Sequence, residues 1–106
     1  MSSSENNYDA LERVIFETGV RIIAVNFHRQ LDMMEVVLNS KISLQFRLSA
    51  FQRLKEANED QLTNYHLIAG GIGIHWPDLD EDISLKGLLE EQLKHTIGHS
   101  SVAMAA

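Results

Sequence analysis

The chain has 106 residues, of which 44% are hydrophobic and 23% charged, with a formal net charge of −6 and no cysteine. This length suits one domain with one core, and the lack of cysteine excludes disulfides and thiolate chemistry. The negative charge argues against direct nucleic-acid binding, which needs clustered Lys and Arg.

No apolar run approaches the ~20 residues of a membrane span. The start MSSSENNYDALERV has neither a basic region nor the apolar core of an export signal, so a cytoplasmic location without membrane contact is expected. Residues 1–7 are polar and read as a disordered lead-in to a single domain over 8–98. Leu11, Val14 and Ile15 then fall on one helical face, with Asp9 as N-cap and Gly19 just past the end.

Val20 to Phe27 reads as a strand, with Ile22 and Ala24 on one side and Ile23, Val25 and Phe27 on the other. Leu31 to Leu38 is a second strand, with Met34, Val36 and Leu38 on one face. Asn39-Ser40 forms the turn, where Asn39 tolerates a positive φ. From Ile42 to Leu48 apolar and polar residues alternate, which predicts a strand with one buried face. The two runs flanking the turn make a hairpin, so the sheet is antiparallel.

Ser49 is placed to cap a short helix that buries Phe51 and Leu54, and Asn58 to cap a further turn through Gln61 and Leu62. Tyr65 to Ala69 is a fourth strand, and Ile72 and Ile74 a fifth beyond a glycine bulge. The fold class is therefore α+β. It comprises a small antiparallel sheet of about four to five strands with an N-terminal and a C-terminal helix.

The densest stretch, GGIGIHWPDLDEDISLKGLL, runs from Gly70 to Leu89. Its glycines lack the spacing and the following Lys of a phosphate loop, so they read as a turn with close backbone approach. Trp76, before Pro77, is held extended and is expected in the core. Asp78, Asp80, Glu81 and Asp82 are expected to precede a helix from Ser84 to Ile97, with Asp82 or Ser84 as its cap. Leu85, Leu88, Leu89, Leu93 and Ile97 make that helix's apolar stripe, Gly98 ends it, and residues 99–106 form a flexible tail.

The acids are out of register for a calcium loop, and Gly98 separates His95 from His99, so no metal site is expected. Neither a catalytic triad nor a cofactor loop is present, so no catalytic residue and no cofactor are assigned. His75, Trp76, Asp78, Asp80 and Glu81 remain as candidates for contact with a partner.

Three parts of the chain resemble one known family: Leu31–Leu48, the AFQRL segment with Asn64-Tyr65, and above all GIGIHWPDLDEDISLKGLL over Gly71–Leu89. The family is the small bacterial domain of unknown function DUF2442, and the likeness spans Val20 to Leu89. Two positions depart from its pattern: Asn39-Ser40 stands where Asp-Gly is common, and Arg47 where Pro is common. The resemblance implies a small α+β domain with an antiparallel sheet and no established activity. Some members are fused to helix-turn-helix domains, and others are encoded beside a second small protein in a toxin–antitoxin-like arrangement.

The expected function is therefore a non-enzymatic protein-interaction module, antitoxin-like, whose acidic charge suits a small basic partner. Two alternatives stand beside it. One is a small metal- or ligand-dependent enzyme using His75 and the Asp78–Asp82 acids. The other is a homo-oligomer joined through the two-sided apolar strand at Ile22–Phe27.

Overall fold

The computed structural model describes residues 3–105, with side chains over residues 10–96. Helix α1 (Ser3–Thr18) leads into a meander of β1 (Ile22–His28), β2 (Met33–Leu38) and β3 (Ser43–Arg47). Two short helices, α2 (Gln52–Lys55) and α3 (Glu59–Thr63), cross to a second meander of β4 (His66–Ile68), β5 (Gly73–Trp76) and β6 (Glu81–Ser84). Helix α4 (Leu85–Ala105) follows. The class is α+β, antiparallel throughout, with one helix before the sheets in the chain and one after them. The strands form two sheets of three, ordered β1-β2-β3 and β4-β5-β6, rather than the expected single sheet of four to five.

The terminal helices are longer than the sequence pattern suggests. Asp9 lies inside α1 rather than at its N-cap, and α4 passes through Gly98 without ending there. The backbone of the expected lead-in is thus helical from Ser3, and that of the expected tail as far as Ala105. Residues 1, 2 and 106, and the side chains over 1–9 and 97–106, including Ile97 and His99, lie outside the described residues. At the near end of α1, Gly19 takes the expected left-handed position at φ +71 and its N–H donates to the Ile15 carbonyl at 3.1 Å. Ile15 is buried and Leu11 half-buried, but Val14 is exposed, so α1 rests on a narrower stripe than its periodicity implied.

In the first meander the expected alternation on β2 and β3 holds for Met34, Val36, Leu38, Leu44, Phe46 and Leu48, which are all buried, but not for Ile42, which lies before β3 and is exposed. On β1 it fails at one point. The register with β2 shifts between Ile22 and Ala24, so Ile23 sits in a bulge and is exposed, while Ile22 and Val25 both turn inward. Leu31 is not in a strand. It ends a 3-10 turn before Asp32, which is left-handed at φ 52, and it stays 71% exposed.

In the β2–β3 loop the positive φ falls on Lys41 (φ 72), not on Asn39. The Asn39 side chain has another task. It accepts from the Arg21 N–H and donates to the Gly19 carbonyl, each at 3.0 Å, and so ties the loop to the start of β1.

Ser49 does not cap a helix either. Phe51 precedes α2 without a side-chain cap, and Ser49 binds Asp32 instead. Its hydroxyl donates to Asp32 Oδ2 at 2.6 Å and its N–H to Oδ1 at 2.9 Å. These bonds close the β1–β2 corner onto the end of β3. The Ser49 hydroxyl holds the Asp32 carboxyl below its ordinary range; loss of solvation opposes this, and the Ser49 N–H, Arg47 and Lys55 add to the lowering. At α3 the expected cap is present. Asn58 and Gln61 form a reciprocal capping box, with bonds of 3.0 and 2.9 Å.

One hydrophobic cluster draws on both sheets and all four helices, including Ile15, Val36, Leu54, Leu62, Trp76 and Leu88. Trp76 is fully buried, and its indole N–H donates to the Leu62 carbonyl at 3.0 Å. Phe27 of β1 meets both Trp76 and Tyr65 edge-on, with centroids 6.4 and 6.1 Å apart. Within the turn from β4 to β5, the Gly71 carbonyl accepts from the Ile22 N–H at 2.8 Å. A Cβ on Gly71 would overlap the Ile22 carbonyl oxygen and lie 2.9 Å from its nitrogen. This is the close approach the glycines predicted.

Trp76→Ala is expected to destabilise the fold by ~3–5 kcal/mol in urea unfolding, since it empties a fully buried site and orphans the Leu62 carbonyl; a loss below ~1 kcal/mol would contradict a core role. The Asp32 clamp makes a pH-dependent prediction. A carboxyl whose folded value is lowered stabilises above the ordinary carboxylate range, and that contribution is lost as pH falls through the folded value. The stability gap between the wild type and Asp32→Asn, which keeps a residue tolerant of left-handed backbone, should therefore shrink on acidification; urea midpoints across an acid series will check it.

Candidate functional site

The stretch that concentrated the candidate residues is a β-hairpin. Between Pro77 and the helix expected from Ser84, residues 77–80 form a turn and Glu81–Ser84 returns as a strand, β6. Pro77 fixes one turn φ near its ring value. The Leu79 N–H closes the turn on the Trp76 carbonyl at 3.2 Å, and Asp80 is left-handed at φ 50. The helix starts at Leu85, directly after the expected Ser84, whose Oγ accepts from the Gly87 N–H at 2.9 Å. Ser84 is the N-cap, as one of the two expectations had it, and Asp82 is not. The four acids therefore lie on a turn and a strand, not on the first turn of the helix where its dipole would favour them.

The register sets where each side chain goes: His75 opposes Asp82, and Trp76 opposes Glu81. Successive strand residues point to opposite faces, so the expected cluster divides. Trp76 faces the core with no exposed surface and is removed from the contact candidates. Glu81, opposite it, is half-buried on that same side. His75 and Asp82 lie on the outer face, where His75 Nδ1 and Asp82 Oδ1 form a hydrogen bond between side chains 39% and 69% exposed.

Asp78 and Asp80 are exposed at the tip. Asp78 Oδ2 accepts from the Asn64 amide at 3.0 Å, and the Leu79 carbonyl accepts from the Arg53 guanidinium at 2.8 Å. The tip is thus tied to the residue after α3 and to α2.

One residue of this surface is absent from the sequence-derived candidates: His66, which opposes His75 from β4. Asp82 stands there only within the acid cluster of the enzyme alternative, not as the residue paired with His75. Hairpin register is the signal that would have found Asp82, but it requires Glu81–Ser84 to be read as a strand. That run carries one apolar residue, Ile83, and its acids imitate a capped helix start.

Among the described residues, no group of three or more His, Asp or Glu side chains is arranged to hold a metal ion. No described helix is long and apolar enough to cross a membrane. An open groove of about 370 Å³ lies elsewhere, between Leu31, Met33, Phe46 and Arg47 on one side and Glu91, Gln92 and His95 of α4 on the other. It takes no lining residue from the hairpin.

The fold and the hairpin define a class: a small α+β domain of two antiparallel meanders, closed by an aromatic-anchored β-hairpin with an acidic tip. The chain belongs to the DUF2442 family, described as proteins of unknown function, whose profile matches residues 22–93. The match runs from the start of β1 into α4 and leaves out α1. Among solved structures, the chain is similar to a crystal structure of a protein of unknown function from Rhodospirillum rubrum. Identity is 30% and the TM-score 0.60, with 68% of this chain and 87% of that one covered. It is also similar to the solution structure of an uncharacterised protein from Chromobacterium violaceum, at 25% identity and a TM-score of 0.63, covering 87% of this chain and 84% of that one. No curated protein matches the chain.

Asp80→Asn and Glu81→Gln are expected to change stability by no more than ~0.5 kcal/mol in urea unfolding, because each removes a charge outside the core while keeping side-chain shape. A larger loss would assign these acids to the fold rather than to a contact surface.

Proposed function

We propose that the protein is a non-enzymatic interaction module that binds a second, small, basic protein through the tip of the β5–β6 hairpin, in the manner of an antitoxin. The observation that carries this reading is the pairing of an exposed acidic tip with a rigid root. Asp78 and Asp80 project from a turn whose strand ends in fully buried Trp76, and Asn64 and Arg53 brace that turn from outside. Side chains held on a braced turn lose little freedom on binding, which favours affinity. The net charge of −6 adds a long-range attraction for a cationic partner.

The test is co-expression with any small basic protein encoded in a neighbouring reading frame, followed by measurement of the dissociation constant at two salt concentrations. A stoichiometric complex weakened by salt is expected, with the Asp78→Lys/Asp80→Lys variant binding at least about tenfold more weakly. Equal affinity of wild type and variant, or affinity indifferent to salt, would overturn this assignment of the surface.

A further inference from the structure

We propose that His66 and His75 form a binding site for a divalent transition-metal ion of the zinc, copper(II) or nickel(II) class. It lies on the outer face of the β4–β5–β6 sheet, with Asp82 as the residue that positions His75. Three observations carry this independently of the partner proposed above.

The first is register. His66 opposes His75 across β4 and β5, and His75 opposes Asp82 across β5 and β6, so the three side chains form one row across the sheet. Directly opposed residues share a face, with Cβ atoms roughly 4.5–5.5 Å apart. Two imidazoles at that separation can converge on an ion at the ~2.0–2.1 Å of a metal–nitrogen bond by rotamer choice alone.

The second is the orientation of His75. Its Nδ1 is held by the Asp82 carboxylate. With Nδ1–H donating to that carboxylate, the lone pair lies on Nε2. This is the carboxylate–histidine arrangement that fixes the tautomer and raises the basicity of metal-ligating imidazoles. Both histidines reach solvent, so an ion has an entry path.

The third is local charge. From Tyr65 to Leu85 there is no Lys or Arg, while Asp78, Asp80, Glu81 and Asp82 all fall in this segment. Lys86 follows this segment directly on α4, and Arg53, which approaches from α2, is bound to the Leu79 carbonyl at the tip. The sheet therefore presents a field that attracts cations.

The ligand type selects the metal. Imidazole nitrogens favour zinc, copper and nickel, whereas calcium and magnesium require oxygen ligands. With two protein ligands, a tetrahedral ion keeps two positions for water or for a donor from a bound molecule.

The experiment is calorimetric titration of the untagged full-length protein with zinc sulfate at neutral pH, repeated with magnesium chloride. Each variant is checked for wild-type thermal unfolding without metal. One zinc ion per chain is expected, with magnesium failing to compete. His66→Ala and His75→Ala should each weaken binding at least about tenfold, and Asp82→Ala by about tenfold. Nitrogen-15 imidazole shifts should show the His75 Nδ1–H tautomer in the wild type and a tautomer mixture in Asp82→Ala, a change that a purely structural Asp82 would not produce.

His95 and His99 supply the competing pair. Loss of zinc binding in His95→Gln/His99→Gln, with retention in His66→Ala/His75→Ala, would overturn the proposal. So would no zinc binding by the wild type, or equal displacement by magnesium.

Discussion

The two meanders are joined where the backbone of Gly71 meets that of Ile22. The carbonyl of one accepts the N–H of the other at 2.8 Å, at a separation that leaves no room for a side chain on Gly71. Gly71 also sits at φ +119, a conformation in which an L-residue is strained. Ala69 and Gly70 are left-handed before it, so three consecutive positive-φ residues turn the chain out of β4 and press it against β1. Next along β1, the Tyr65 hydroxyl accepts from the Val25 N–H at 3.0 Å. A strand at a sheet edge exposes unpaired backbone groups that invite pairing with other chains. Here the outer edge of β1 is closed by the second meander, and that closure brings Phe27 onto Trp76. The single shared core follows from this seam, since each three-stranded sheet alone has too little surface to bury its apolar face.

The seam also decides what the β5–β6 hairpin can offer. The close approach at Gly71 and the bond from the Trp76 indole to Leu62 fix one face of β5 inward. Strict alternation then commits the His66–His75–Asp82 row to the outside, together with the next row, Ile68–Gly73–Ser84. On that next row a Cβ at Gly73 would meet Ile68 Cδ1 at 3.2 Å, so the Ile68 side chain occupies the space that glycine leaves. The outer face thus carries a polar row with an apolar flank, while the turn residues extend beyond the sheet. The tip acids and the histidine row are separate surfaces, though the sequence places them within a few residues of each other.

Much of the fold was legible because it depends on local pattern. Alternation identified the core faces of β2 and β3, Gly19 marked the end of α1, and Asn58 and Ser84 carry side chains that cap as their chemistry suggests. The departures arise where a tertiary contact outweighs the local preference. Asn39 leaves the positive φ to Lys41 because its amide joins two other segments, and Ser49 gives up a cap for a charge-assisted pair of bonds to Asp32. The bulge at Ile23 inverts half of β1, an effect that no composition signal announces. Strand β6 was hidden because its acids suit a helix start equally well, and only pairing with β5 distinguishes the two. The candidate site was legible to the same degree. His75 and the tip acids stood out by type, but Asp82 and His66 join His75 only through cross-strand register.

The edge position of β6 gives its acids a structural account that weighs against a functional one. Strand order β4-β5-β6 leaves β6 with one unpaired side, and charged residues on an edge deter pairing with another chain. Glu81 and Asp82 are explained by this alone. Asp78 and Asp80 are not, because they precede the strand, and an acidic turn adds nothing to edge protection. Nor does edge protection call for a histidine on β5, the central strand, facing a second histidine on β4. Two opposed imidazoles stabilise a sheet less than the aromatic or β-branched pairs that suit such positions, and they repel each other once both are protonated. What edge chemistry leaves unexplained on this sheet is therefore the exposed tip and the histidine pair.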